Sequence, residues 1–281
     1  MSFPPTAWRL LLSPPSPGAW NMALDEAILE AAGSRQALPT LRLYAWQPAC
    51  LSLGYAQPFT DADQTGLVDH GWQLVRRPTG GRAILHIDEL TYSVCGPLDE
   101  PRLAGSVLES YRILSGALLV ALNLLGIQAE AMPQAGLQAA PQPGKSIPTN
   151  PVCFEAPSNY EITFNGKKLI GSAQARRKEG VLQHGSLPLT GDLARITQAL
   201  SFPDEPARRQ AAERLLRRAA TAETALGHAP TWEQAAQAFI AAFQQALNLE
   251  LLPAEPDPAE LQRAEQLVRD KYAHPTWNEK T

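Results

Sequence analysis

Three stretches of the chain carry side chains able to do chemistry. The first is RRPTGGRAILH, from Arg76 to His86, in which two arginines lead into a Pro-Thr-Gly-Gly turn and a second strand-like run leaves it. The adjacent Gly80 and Gly81 let the backbone approach a ligand closely with its amides free to donate. A Gly-Gly pair alone is more often an ordinary hairpin turn. Arg76, Arg77 and Arg82 crowd three guanidiniums around it, however, and such a cluster favours an anionic ligand. The spacing is not that of a Walker nucleotide loop. His86 closes the stretch, and a histidine so placed is more often hydrogen-bonded structure than a catalyst.

The second stretch is NPVCFEAPSNYE, which sets Cys153 on a loop beside a proline-rich segment. A loop thiol can reach a substrate as a nucleophile, whereas Cys50 and Cys95 sit in strand-like runs and read as small core hydrophobes. The third is GKKLIGSAQARRKEGVLQHGSLPL. Lys168 enters an apolar strand there, followed by the small or short Gly171, Ser172, Ala173 and Gln174, with His184 and Gly185 on the next strand. A lysine at a strand entrance can stabilise a developing oxyanion or hold a thiolate deprotonated. The commoner fate of the pair Lys167 and Lys168 is a solubilising hairpin tip. Spacing alone does not decide whether Lys168, His184 and the Gly80-Gly81 turn converge.

The elements that must position these groups follow from pattern. A strand is expected from Trp8 to Leu12 and a helix from about Trp20 to Ala32. Strands follow at Leu41–Trp46, Cys50–Tyr55, Trp72–Arg77, Arg82–Ile87 and Glu89–Val94. Glu109 to Leu125 predicts an amphipathic helix stopped by Gly126, and Glu130 to Pro151 reads as a Pro/Gln/Ala-rich loop. Asn165-Gly166 between two β-like runs signals a tight hairpin, and Val181–Leu189 a further strand. Beyond Asp192 the composition turns helical. The order is that of an α/β or α+β sheet domain with a helical C-terminal annex.

Composition bounds the function. In 281 residues, 44% hydrophobic and 19% charged, the chain is neither disordered nor a coiled-coil rod. A net charge of −4 argues against nucleic acid as the main partner. Three dispersed cysteines give neither a zinc signature nor a disulfide framework and suggest a reducing compartment. The apolar run Leu114–Ile127 is too short and too interrupted to cross a bilayer, so no membrane is expected, and with no secretory signature at the N-terminus the cytoplasm is the expected location. The arginines Arg208, Arg209, Arg214, Arg217 and Arg218 read as a solvated helix face with internal pairs.

Taken together, RRPTGGRAILH with DELTYSV, CFEAPSNYE and KLIGSAQARRKEGVLQHGSL resemble the lipoate–protein ligase and octanoyltransferase superfamily, whose relatives include biotin protein ligases. The resemblance runs from about Asn21 to Leu189, with a weaker match in KYAHPTWN (Lys271 to Asn278). It implies a central mixed sheet flanked by helices, as one catalytic domain with a sheet core at about 8–190 and an annex at about 192–281. The nearest likeness is to octanoyltransferases of the cysteine type. It implies transfer of octanoate from acyl carrier protein to a lipoyl domain such as the glycine-cleavage H protein, through a Cys153 thioester, with Lys168 as the active-site lysine and no cofactor. On this reading Arg76, Arg77, Thr79, Gly80 and Gly81 line one wall of the acyl pocket and Gly171, Ser172, Ala173 and Gln174 the other. His86, His184 and Gly185 occupy motif positions. Because the carrier proteins are acidic, Arg176, Arg177 and Lys178 become the docking candidate. An ATP-dependent ligase, an amidotransferase between lipoyl domains and a non-catalytic lipoyl-domain-binding homologue remain as alternatives.

Overall fold

The computed structural model describes residues 3–133 and 160–280. Cys153 and most of the Pro/Gln/Ala segment lie outside the described residues. Among those described, the strands are β1 (Thr6–Leu12), β2 (Thr40–Tyr44), β3 (Cys50–Leu53), β4 (Gln73–Arg76), β5 (Ile84–His86), β6 (Glu89–Gly96), β7 (Glu130–Pro133), β8 (Tyr160–Phe164), β9 (Lys167–Arg177), β10 (Gly180–Pro188) and β11 (Leu249–Pro253). The main helices are α1 (Gly18–Gly33), α2 (Gln64–Asp69), α3 (Val107–Leu124), α4 (Glu205–Arg218), α5 (Ala222–Leu226), α6 (Trp232–Leu247), α7 (Pro258–Leu267) and α8 (Pro275–Asn278).

The strands form two sheets rather than one. The larger is mixed, in the order β11-β1-β2-β6-β10-β9-β8-β7, and the smaller is β4-β3-β5. In the large sheet the alternation of side chains separates two environments. Leu41, Leu43, Leu90, Tyr92 and Val94 pack with Leu114, Leu118, Ala121, Phe239 and Phe243 of α3 and α6. The intervening residues Arg42, Tyr44, Thr91 and Ser93 point to the opposite face, towards α1, and are buried as well. A face that is polar and yet covered is where the site lies.

Local rules explain the supporting elements. Helix α3 opens on a capping box of Ser106 and Glu109, and α6 on one of Thr231 and Gln234. Among the described residues α3 is the one helix long and apolar enough, by length and composition, to cross a membrane. Its apolar stripe is part of the core against α6. The expected Asn165-Gly166 turn is present, both residues having positive φ, 49° and 74°, as a two-residue hairpin turn of this type demands.

Two boundaries of the sequence reading need correction. Glu130–Pro133, assigned to a loop, forms β7 and pairs antiparallel with β8 at the sheet edge. The C-terminal third is not a purely helical annex, because β11 lies parallel to β1, with Thr6 opposite Leu249, and so completes the other edge. Both strands are short, and β7 ends at a proline, so neither carries a strong periodic signal.

The segment after α7 is tied back to the front of the molecule through Arg76. Its buried guanidinium donates to the carbonyls of Gly54 (2.9 Å), Trp277 (3.0 Å), Asn278 (2.8 Å) and Lys280 (3.1 Å), and Asn278 Oδ1 accepts from the Arg76 amide at 2.8 Å. Removing a buried charge with this many acceptors leaves carbonyls unsatisfied. Arg76→Ala is therefore expected to cost about 2–4 kcal/mol of stability. Urea unfolding, with hydrogen exchange on residues 275–280 to show release of that segment first, measures it.

Candidate active site

The polar face of β2, β6 and β10 meets the small sheet and the Pro-Thr-Gly-Gly loop around a cavity holding about 600 Å³ of empty space, its solvent-filled mouth included. Met22, Trp46, Ile84 and Ala173 give it apolar walls, while Arg77, Arg82, His86, Lys168 and His184 bring charge or titratable groups to its border.

One wall is set by a buried carboxylate. Asp25, on α1, accepts from Arg42 Nη1 at 2.7 Å, Ser93 Oγ at 2.8 Å and Tyr44 Oη at 2.9 Å. Burial alone would raise its carboxyl, but the Arg42 guanidinium and His184 outweigh this and hold it below the ordinary carboxylate value. His184, on β10, presents Nδ1 to Asp25 Oδ2 at 3.7 Å and Nε2 to the Thr79 hydroxyl at 2.6 Å. Burial, with Arg77 and His86 adding to it, keeps the imidazole below its usual value against the pull of Asp25. The chain Asp25–His184–Thr79 thus links helix, sheet and glycine loop.

A second chain borders the same cavity. Glu89 Oε1 accepts from His86 Nδ1 at 2.6 Å, Thr91 Oγ1 at 2.6 Å and Ser186 Oγ at 2.9 Å, and His86 Nε2 meets Ser52 Oγ at 2.8 Å. Trp46 stacks on the His86 ring, centroids 3.9 Å apart and planes 9° from parallel, and its indole N–H donates to Thr91 at 2.8 Å.

Arg77 fixes the loop. Its Nη2 donates to the carbonyls of Gly80 (2.8 Å) and Arg82 (2.7 Å), and its Nη1 to the Ser52 carbonyl (3.0 Å) and hydroxyl (3.1 Å). Gly81 has φ 92°, and at Gly54 any Cβ would lie 1.9 Å from the Gly81 carbonyl oxygen, so this crossing requires glycine.

Lys168, 4% exposed, borders the cavity with Nζ 3.3 Å from Glu161. Its neighbour Lys167 points away and donates to the Leu216 carbonyl at 2.9 Å. The two lysines of the pair have different surroundings, as the two-residue strand period requires.

Of the residues singled out in the sequence, Arg77, Gly81, His86, Lys168, Gly171, Ser172, Ala173, His184 and Gly185 border one cavity. Thr79 lies behind it, against His184. Arg76 does not line it, since its donors are spent on the carbonyls of Gly54 and of the segment 277–280, and Gly80 serves through its carbonyl. Gln174 is on the other face, bonded to Ser110 (3.1 Å) and Gln183 (3.0 Å), because strand alternation turns it away from the side shared by Gly171, Ala173 and His184. Of the docking candidates, Arg176 and Arg177 are half-buried and donate to the carbonyls of Leu103 (2.8 Å) and Pro78 (3.3 Å), while Lys178 is exposed. Cys50 and Cys95 are buried, and burial pushes both thiols well up, away from thiolate. Sequence reasoning passed over Asp25, Arg42, Trp46, Ser52 and Glu89. The signal for Asp25 and Arg42 was a charge in the middle of an apolar element, in WNMALDEAILEAA and LRLYAW.

Comparison with known proteins decides the family. The lipoyl protein ligase A/B catalytic-domain model matches residues 17–244. The chain belongs to that family. Octanoyltransferase LipM of Brevibacillus brevis is 38% identical over 272 residues, 96% of this chain and 98% of that protein. LipM of Symbiobacterium thermophilum is 40% identical over 275 residues, 97% and 98% of the two chains. Among solved structures, the bipartite lipoate protein ligase of Thermoplasma acidophilum, described together with its E2 lipoyl domain, superposes with a TM-score of 0.79 at 24% identity. That match covers 98% of this chain and 96% of the other. Lipoate-protein ligase A bound with ATP gives 0.76 at 24%, over 98% and 99%. These neighbours share the lipoyl-ligase fold, the mixed sheet flanked by helices. The chain is an acyltransferase of this family.

The Asp25–Arg42 pair has a pH signature. A carboxyl whose folded value is depressed contributes stability that is present above its unfolded value, roughly 4, and is lost as pH falls through the lower folded value. Asp25→Asn strands a buried guanidinium and is expected to destabilise by about 3–5 kcal/mol near neutrality. The gap from wild type should narrow as pH drops below that unfolded value, read from urea midpoints across the range.

Proposed function

We propose that this acyltransferase of lipoate biosynthesis moves an octanoyl group from the thioester of acyl carrier protein to the lysine of a lipoyl domain, such as that of glycine-cleavage H protein, through a thioester on Cys153. The observation that carries the reading is Lys168, a lysine nearly sealed from water and placed at the border of an apolar-walled cavity. A short acyl chain gains by burial against Met22, Trp46, Ile84 and Ala173. The ammonium of Lys168 then supplies positive charge where a thioester carbonyl becomes an oxyanion, and would favour a thiolate beside it.

The similarity to octanoyltransferases over almost the whole of both chains supports the octanoyl group, and the lipoyl domain described with the Thermoplasma acidophilum ligase supports the acceptor. The state of the other cysteines supports the choice of nucleophile. Cys50 and Cys95 are held as thiols in the core, which supports Cys153, the first residue of the motif CFEAPSNYE. In the transfer, the Cys153 thiolate attacks the donor thioester and expels the carrier thiol. The lysine amine then attacks the acyl-enzyme and expels Cys153. Neither step needs ATP, because the activation is already in the donor thioester.

Mixing the protein with octanoyl carrier in ATP-free buffer should give an intact mass increased by one octanoyl group. Cys153→Ser should abolish both the adduct and transfer to a lipoyl domain on a gel, while Cys50→Ser and Cys95→Ser should not. Transfer seen only with free octanoate or lipoate plus ATP and magnesium would replace this reading with adenylation.

Lys168→Ala should lower turnover by ~10²–10³ without unfolding the protein. Lys167→Ala is the control and should stay near wild type, as its side chain faces Leu216. Equal, near-normal turnover in both variants would remove Lys168 from the chemistry.

A further inference from the structure

The cavity is a poor place for an ammonium. Arg77, Arg82 and Lys168 all border it, so a substrate lysine that enters still protonated meets like charge in a site with little water. The amine that attacks a thioester must be neutral, although a free lysine holds its proton up to about pH 10.4. A route for that proton is built into the wall opposite the large sheet's small residues.

We propose that Ser52, His86 and Glu89 form a proton relay that deprotonates the acceptor lysine in the second, acyl-accepting step. The proposal rests on the covalent transfer described above. Its parts are a carboxylate, an imidazole and a hydroxyl in series, Glu89 Oε1 to His86 Nδ1 at 2.6 Å and His86 Nε2 to Ser52 Oγ at 2.8 Å. Glu89, as a carboxylate, accepts the Nδ1 proton, which leaves the Nε2 lone pair directed at Ser52. Ser52 and His86 both border the cavity although they are closed to bulk solvent. The hydroxyl is further polarised by Arg77 Nη1 at 3.1 Å. Stacking on Trp46 and the hydroxyls of Thr91 and Ser186 on Glu89 hold the series in one geometry.

The proton count closes. The substrate ammonium passes one proton to Ser52 Oγ as the serine's own proton moves to His86 Nε2, and Glu89 stabilises the imidazolium. The neutral amine attacks the thioester carbon, the C–N bond forms and the C–S bond breaks. The second nitrogen proton goes to the departing thiolate, and once product leaves, the imidazolium returns its proton through Ser52 to water entering by the cavity mouth. The charged or titratable groups around His86 are Glu89 on β6, His184 on β10 with Asp25 of α1 behind it, Lys168 on β9, and Arg77 and Arg82 on the loop. Of these, Glu89 is the one that directly bonds the ring.

Glu89→Gln keeps an acceptor for Thr91, Ser186 and His86 but removes the charge. Single-turnover kinetics on octanoyl donor, then on the isolated octanoyl-enzyme with a lipoyl domain, separate the two steps. Deacylation at pH 7 should fall by ~10² more than acylation does, and that excess should vanish as pH rises towards 10, where the amine is neutral without help. Ser52→Ala, which loses only a hydroxyl, should give the same pattern. Wild-type deacylation rates in both variants, a loss of the same factor at every pH, or equal loss in both steps would overturn the relay. Failure of the wild-type protein to form any octanoyl adduct is a different result and sinks the covalent transfer itself.

Discussion

The site depends on keeping one ionised carboxylate, Asp25, away from water. Its partners come from three strands of the large sheet: Arg42 and Tyr44 on β2, Ser93 on β6 and His184 on β10. An isolated buried charge is prohibitively costly, and a paired one is tolerable only when geometry and hydrogen bonds are complete. Here they are complete, since Arg42 also donates to Ser13 Oγ and to Asn21, whose amide in turn donates to the carbonyls of Ser16 and Ala45. Helix α1 can therefore dock on the sheet in one register. That register delivers His184 to Thr79, and with it the glycine loop to the cavity.

This explains which parts of the molecule were legible in the sequence. The fold class followed from alternation and punctuation, because most strands have one face in an apolar cluster and turn residues at their ends. β7 and β11 escaped because four or five residues ending in a proline carry little periodic signal. The convergence of RRPTGGRAILH with KLIGSAQ and QHGSL was visible as a resemblance but not as geometry, because residues about a hundred positions apart meet only through strand order. Arg76 misled for a related reason. Two adjacent arginines on a strand face opposite ways, and only the structure tells that Arg77 holds the loop while Arg76 holds the segment after α7. Gln174 was misplaced by the same alternation.

The two sheets divide the work. The large sheet supplies rigidity: its far face is sealed by α3 and α6, and its near face carries the polar row of Glu89, Thr91 and Ser93 beside His184 and Ser186. The small sheet supplies Ser52, Ile84 and His86, and it bears on the large one through Glu89 and Trp46 rather than through strand pairing. Residues that must stay fixed relative to each other, such as His86 and Glu89, thus sit on different sheets joined by the two-residue link Ile87-Asp88.

The parallel pairing of β1 with β11 has a consequence for how the protein is made. A ribosome delivers β11 some 240 residues after β1, so throughout that interval the β1 edge of the nascent sheet offers unpaired amides and carbonyls to any passing strand. The Pro-Pro and Ser-Pro steps that follow β1 cannot extend such pairing, which limits the exposed edge to a few residues. Arg76 is satisfied later still, since its carbonyl acceptors at 277, 278 and 280 lie 201 to 204 positions further along the chain and follow β11. A nascent chain stalled before residue 249 would thus hold most of the cavity's side chains and yet have an open sheet edge and a buried arginine lacking its acceptors at 277–280, a species for chaperones and proteases rather than a slow version of the enzyme.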